Sequence, residues 1–170
     1  LVSDIAIFPS DYTLTEYTKS LGTMEWYNAH VVPHPDFGID HKATFVPDFD
    51  DLISLCFLGE FSLRKGADML QKILQALEMA RIPVQVSVHG IVASDAVEIQ
   101  TRLRTRYGVE FKGQYDESFI VDELRGSNIH VLALLSAVEE TYCYVLTQAL
   151  NTGIAILHTG AGAIGERLEG

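Results

Sequence analysis

The sequence predicts an α/β fold, an open parallel sheet with helices on both faces. Two observations carry that prediction. Short apolar runs of strand length alternate with segments whose apolar residues recur every three or four positions, the helix period. Glycine-rich turns sit between them and end or open each element. Alternation of this kind builds parallel βαβ units with right-handed crossovers. In such a sheet, ligands bind outside the carboxyl ends of the strands, so the strand-to-helix turns hold the candidate site.

Residues 4–8 (D-I-A-I-F) form a short apolar strand. Ser10 or Asp11 caps a helix running to about Leu21, and Gly22 ends it. Residues 29–32 read as a further strand, after which Pro33 and Pro35 hold the chain extended. Residues 37–51 are irregular. Asp48, Asp50 and Asp51 cluster there in a spacing that fits no metal loop, and read as a solvated acidic turn. Residues 52–58 are the first strand of the main sheet. The turn Gly59 to Gly66 (G-E-F-S-L-R-K-G) leads into a helix over 67–80, with Leu70, Ile73, Leu74 and Leu77 on one face. The second strand covers 84–88 and ends in His89-Gly90. A helix over 95–106 has a charged outer face. Residues 109–111 make a short third strand, with Gly113-Gln114-Tyr115 as the turn after it. A short helix over 118–124 precedes the fourth strand, 128–135. Ser136 then leads through Glu139-Glu140-Thr141 into a helix over 142–151, in which Tyr142, Val145, Leu146, Ala149 and Leu150 keep the helix period. Gly153 stops it. Residues 154–157 are the fifth strand, and Thr159-Gly160-Ala161-Gly162 opens another helix.

Composition narrows the function. The 170 residues suit one domain with a sizeable core, and although 48% are apolar, no run approaches the roughly 20 residues that span a bilayer. A net charge of −11 argues against nucleic acid, whose phosphates need a basic face, and against broad adhesion to anionic lipid. Cys56 and Cys143 fall in an apolar strand and a helix, and read as buried thiols of a reducing cytoplasm rather than a disulfide. No GxGxxG follows the first strand, which disfavours a dinucleotide oxidoreductase. Cys/His metal spacing, a G-x-S-x-G elbow and a P-loop are all missing, and so is the acidic pocket of a receiver domain.

The turns offer anion chemistry. A helix start presents unpaired N–H groups and a positive dipole end, so the amides near Tyr144 and Val145 suit a phosphate. Gly160 and Gly162 let another backbone or a ligand come close. Glu140 has two readings: a carboxylate capping the helix, or an acceptor for sugar hydroxyls. Lys65 is either an exposed lysine placed against the helix dipole or a phosphate partner. His89 either touches phosphate or sugar, or packs in its turn. Tyr115 either borders a base or forms a rim aromatic. His130 and His158 read as structural.

The stretch from Ser136 to Glu166 resembles the donor-binding segment of retaining GT-B glycosyltransferases, the large group 1 family. That family carries Glu, seven residues, then Glu, with an aromatic-small pair after the first Glu, and later a Gly-rich turn ending in Glu. Glu140 aligns with the first Glu, and Tyr142-Cys143 stand where Phe-Gly is usual. Ala149, Gly153, Gly160-Ala161-Gly162 and Glu166 also fall in place. The second Glu position holds Gln148, which can still hydrogen-bond a ribose hydroxyl, though without charge. Gly59 and Lys65-Gly66 match the Gly-Arg and Lys-Gly pairs that clamp the donor diphosphate. Glu60 replaces the Arg, with Arg64 close by.

The resemblance spans about 9–166 and implies a Rossmann-like sheet that is one half of a GT-B architecture. It makes 1–28 the residual end of the acceptor-side domain and linker. Residues 29–170 become the nucleotide-sugar domain, truncated at its C-terminus. It implies a retaining, metal-independent glycosyltransferase with no cofactor, taking a UDP- or GDP-linked sugar as substrate. Glu140 would be catalytic. Gly59, Arg64, Lys65, His89, Tyr142, Cys143, Tyr144, Val145, Gln148, Gly160 and Gly162 would bind the donor. An acceptor glycan or lipid-linked glycan would be reached through the N-terminal domain of a cytoplasmic, membrane-peripheral protein, the isolated domain being inactive alone. Glu60 and Gln148 also support an alternative, a GT-B-like module that binds with weak turnover or none.

Overall fold

The computed structural model describes residues 5–21, 28–35 and 52–169. Asp4, the Gly22 stop and the acidic cluster Asp48, Asp50 and Asp51 lie outside them. The elements are β1 (Ala6–Phe8), α1 (Asp11–Leu21), β2 (Ala29–Val31), β3 (Ile53–Leu58), α2 (Ala67–Met79), β4 (Val84–His89), α3 (Val97–Tyr107), β5 (Glu110–Gly113), α4 (Ile120–Gly126), β6 (Val131–Leu134), α5 (Tyr144–Thr152), β7 (Ala155–His158) and α6 (Ala163–Glu169). β3 to β7 form one parallel sheet in the order β5-β4-β3-β6-β7, and β1 and β2 form a separate parallel pair. The expected fold class is therefore the observed one.

Strand alternation divides the core in two. Leu55 and Phe57 of β3, with Val86 and Val88 of β4, pack under Leu70 and Leu74 of α2 and Ile99 and Leu103 of α3. Cys56 and Leu58, with Leu132 and Leu134 of β6, pack under Leu124 of α4, Leu146 of α5 and Ile164 of α6. Every helix stripe found in the sequence thus meets one pleat face. Phe57, Phe61 and Phe111 add two edge-to-face ring contacts, with centroids 5.3 and 5.2 Å apart.

Boundaries differ from the sequence reading by one to three residues, and three of the differences have a clear local reason. β4 runs on through His89, which pairs in register with Leu58. β6 starts at Val131 rather than 128, because His130 is engaged by the start of β3: the Ser54 amide donates to His130 Nδ1 at 3.0 Å and the His130 amide to the Ser54 carbonyl at 2.9 Å. α5 starts at Tyr144 rather than 142, because Cys143 takes a left-handed backbone, φ 68°, which no helix accommodates.

The turns at the carboxyl ends of the strands are bonded to one another. The Gly59 amide donates to the His89 carbonyl, the Gly90 amide to the Gly113 carbonyl, and the Ala137 amide to the Arg64 carbonyl, at 2.9, 2.8 and 2.8 Å. Gly66 is the closest approach between the β3 and β6 turns. Its φ is +90°, and a Cβ there would lie 2.0 Å from the Leu135 carbonyl oxygen. Gly66→Ala should therefore cost about 3 kcal/mol or more of stability, read as a lower urea midpoint at unchanged m-value; a variant as stable as the parent would show that the two turns are free to separate.

Candidate functional site

β3 and β6 are neighbours, so the turns that follow them face each other across the rim of the sheet. Between them lies a cleft floored by Phe57, Leu58, Leu134, Leu135 and Ile164. Gly59, Glu60, Lys65, Ser136, Glu140, Cys143 and Val145 form its polar and small-residue walls. A second, wider recess of about 240 Å³ shares Gly59, Glu60 and Val145 with it, and adds Gly90, Ile91, Gln114, Tyr115 and Glu117. The two form one trough across the ends of β6, β3 and β4.

Lys65 and Glu140 meet in this cleft. The ammonium Nζ donates to Glu140 Oε1, with 28% and 14% of the two side chains exposed. The Ser136 hydroxyl lies 2.8 Å from the same oxygen. Glu140 does not cap α5, whose start carries no side-chain cap. The capping reading is thereby replaced: the carboxylate points into the cleft. Its backbone is fixed as well. The Ala163 amide donates to the Glu140 carbonyl at 2.8 Å, and Glu140 bridges Gly162 as a short parallel ladder. Gly162 is required there, since a Cβ would lie 2.5 Å from the Glu140 carbonyl oxygen at φ +61°.

α5 points its amino end at the same cleft. The Leu146 amide is taken by the Cys143 carbonyl at 3.1 Å, while those of Tyr144 and Val145 have no acceptor among the described residues. Two open amides on a nine-residue helix, beside a lysine, make an anion seat. Burial pushes the Cys143 thiol up, so it faces the cleft as a neutral group. Arg167 locks the turn before α5. It sits 4.1 Å from the Tyr142 ring centroid and donates to the Tyr142 and Cys143 carbonyls at 3.1 and 3.0 Å.

Of the residues expected to hold a ligand, Gly59, Lys65, Glu140, Cys143 and Val145 line the trough, as does Tyr115. Gln148 stands one contact away and accepts the Tyr115 hydroxyl at 3.0 Å. Burial, first, and then the Glu117 charge push Tyr115 up to about 12, so it stays a donor. Six other expected residues lie elsewhere in the structure. Tyr142 is buried beneath Arg167 and donates to the His34 carbonyl at 3.0 Å. Tyr144 is 63% exposed and lies against the His34 ring, outside the trough. Arg64 is exposed, and its carbonyl accepts the Ala137 amide and, at 3.4 Å, the Ser136 hydroxyl. Gly160 is exposed beyond the cleft, and Gly162 serves the Glu140 backbone instead of a ligand. His89 opens onto a separate hollow beside Lys112 and Glu123, with Nδ1 at 3.5 Å from the Glu123 carboxylate.

Sequence reasoning gave Ser136 no role and found no partner for Arg167. Neither has a spacing signal, because each acts on a residue brought near only by the fold. Among the described residues, no group of three or more His, Cys, Asp or Glu side chains could hold a metal ion, and no helix is long and apolar enough to cross a membrane.

No family model matches the chain, and no curated protein does. Solved structures do. Anabaena Alr3699/HepE in complex with UDP-glucose superposes with a TM-score of 0.72 at 20% identity, over 96% of this chain and 47% of that one. The lipopolysaccharide outer core galactosyltransferase WaaB gives 0.67 at 20%, over 94% and 44%. AviGT4, a glycosyltransferase involved in avilamycin A biosynthesis, gives 0.65 at 22%, over 96% and 47%. The chain thus spans about half the length of each, and its fold is the Rossmann-like fold of one half of a GT-B architecture.

His89 generates a pH prediction. Burial holds its imidazole below the usual histidine range; Glu123 opposes that shift and Lys112 adds to it. The unfolded chain therefore takes up the proton first, and stability should fall as pH drops below about 6.5. Thermal melts between pH 7.5 and 5 should show this loss, and His89→Gln should flatten it.

Proposed function

We propose that the chain is the donor-binding half of a GT-B glycosyltransferase of the retaining group 1 type. It holds a UDP- or GDP-linked sugar for transfer to an acceptor glycan or lipid-linked glycan. One observation carries this reading: Lys65 and Glu140 share a cleft with the open amides of α5, at the carboxyl ends of β3 and β6. HepE, whose fold this chain shares over about half its length, is solved in complex with UDP and with UDP-glucose.

In this reading the diphosphate lies on the Tyr144 and Val145 amides and on Lys65. The base extends toward Tyr115, and Gln148 supports that side of the trough through the Tyr115 hydroxyl. Glu140 accepts hydroxyls of the sugar, since an ionised carboxylate only accepts. In the empty site, Lys65 and Glu140 neutralise each other. An arriving donor exchanges that contact for two of its own, phosphate to Lys65 and hydroxyl to Glu140. Charge on the leaving diphosphate is stabilised by Lys65 and the helix dipole, with no metal or cofactor and no protein nucleophile assigned. Residues 1–28 are the end of an acceptor-side domain and 29–170 the donor domain. Turnover needs the remainder of a cytoplasmic, membrane-peripheral enzyme.

A second reading, binding with weak turnover or none, is favoured by Glu60. It is exposed, lines both recesses and puts a like charge beside the diphosphate seat.

Calorimetric titration with UDP, UDP-glucose, GDP, GDP-mannose and free glucose tests binding. At least one nucleoside diphosphate and its sugar should bind, and free glucose should not. No binding of any of them at about 1 mM would sink the proposal. Lys65→Ala should weaken nucleoside diphosphate by about tenfold. Glu140→Ala should instead leave that affinity equal or higher, because Lys65 is freed, while moving the ratio of dissociation constants against the sugar nucleotide. Incubating the full-length protein with donor and acceptor separates transfer from binding alone.

A further inference from the structure

We propose that helix α1 positions Glu140. On this view the hydroxyls of Ser10 and Thr13, meeting on the Thr141 carbonyl, tune how the site ranks a sugar nucleotide against the bare nucleotide. The inference rests on the donor-site reading of the cleft.

The residues on both sides of Glu140 are tied to α1. The Thr141 carbonyl receives Ser10 Oγ at 2.8 Å and Thr13 Oγ1 at 3.1 Å. Ser10 and Thr13 are both interior residues, 2% and 6% exposed. On the other side, the Tyr12 hydroxyl donates to the Glu139 carboxylate at 2.5 Å. The Tyr12 ring also packs on Gly162, the residue bridged to the Glu140 backbone, where a Cβ would come within 3.1 Å of Tyr12 Cε1.

α1 is itself fixed at this end. All four of its leading amides have partners. Those of Asp11 and Tyr12 donate to the two Glu166 carboxylate oxygens at 3.1 and 2.8 Å, that of Thr13 to Ser10 Oγ at 3.1 Å, and that of Leu14 to the Ser10 carbonyl at 3.2 Å. α1, α6 and the 139–141 segment thus form one hydrogen-bonded unit assembled from both ends of the chain.

Helix capping alone does not require this arrangement. Ser10 caps α1 by accepting the Thr13 amide, which leaves its proton for another acceptor. Thr13 needs no hydroxyl to cap anything. Burying two hydroxyls is costly unless they find acceptors; these two lie 2.8 Å from each other, which leaves at least one of the two protons for the acceptor they share, the carbonyl next to Glu140. With its backbone held at 139, 140 and 141, Glu140 reaches Oε1 to Lys65 and Ser136. No partner is recorded for Oε2 among the described residues. Displacing a ligand-binding carboxylate by about 1 Å is enough to weaken its contacts, so the backbone restraint bears on sugar recognition directly.

The test is calorimetry on the full chain with UDP and with UDP-glucose. In Ser10→Ala combined with Thr13→Val, the UDP affinity should change less than about twofold, while the ratio of dissociation constants moves about tenfold against UDP-glucose. Thr13→Ser, which keeps the hydroxyl, should leave the ratio as in the parent. Equal weakening of both ligands, or an unmoved ratio, overturns the proposal. If the double variant does not fold, Tyr12→Phe removes only the Glu139 contact, and should still move the ratio by about threefold; no movement overturns it. Hydrogen exchange without ligand gives an independent reading: amides over 139–142 should exchange faster in the variants, and unchanged protection overturns the proposal. A parent chain that binds neither ligand sinks the donor-site reading instead, and exchange alone then decides whether α1 holds the loop.

Discussion

The contact on which the site depends is the ion pair between Lys65 and Glu140, 75 residues apart in sequence. It exists because β3 and β6 are paired, Leu55 with Val131 and Phe57 with Ala133, so that their turns emerge side by side. A half-buried pair of this kind contributes little net stability, since desolvating both charges offsets their attraction. Its geometry must therefore come from elsewhere. Gly66 lets the β3 turn reach the Leu135 carbonyl, the Arg64 carbonyl takes the Ala137 amide, and Ser136 steadies Oε1. The backbone brings the two charges together; the charges do not bring the backbone together.

Much of this was legible in the sequence. Apolar runs at period two and stripes at period 3.6 report burial directly, so each main-sheet strand and each helix was found at its place. The positions at the cleft were found too, because Gly59, Lys65, Glu140 and Val145 lie at strand-to-helix turns, where topology puts ligands. Legibility ended at side-chain direction. His89 was read as a turn residue after its strand, but it ends β4 in register with Leu58, and the pleat turns its ring toward Glu123 and away from the trough. Tyr142 was read as a helix residue, and it is the left-handed Cys143 that ends the turn and sends the Tyr142 ring under Arg167. The Glu166 contact with the α1 amides, at a separation of 155 residues, follows no local rule.

Cys143 shows how the chain keeps a shape that its sequence disfavours. A non-glycine residue at φ 68° costs about 1–2 kcal/mol. Arg167 offsets that cost from outside, through two carbonyl bonds and its face on the Tyr142 ring, so the turn is fixed by carbonyl positions and not by the side chain at 143. The helix dipole of α5 keeps its aim at the cleft, and the Cys143 sulfur adds a neutral wall where a smaller residue would leave room.

The trough's charge is the remaining question, and it bears on which reading of function prevails. Among the described residues, Glu60, Glu117 and Glu140 line it against Lys65 alone, in a chain of net charge −11. A diphosphate entering there meets repulsion from three carboxylates, partly screened at physiological salt, where the Debye length is about 8 Å. Amide dipoles do not titrate and are not displaced, so the open Tyr144 and Val145 amides supply the attraction that the side chains largely cancel. In the proposed donor site, the backbone shape thus suits an anion while the side-chain potential runs against one. Shape and potential were separable in this chain because shape lies in glycines and backbone bonds, and potential in a few exposed positions that the fold leaves free to vary.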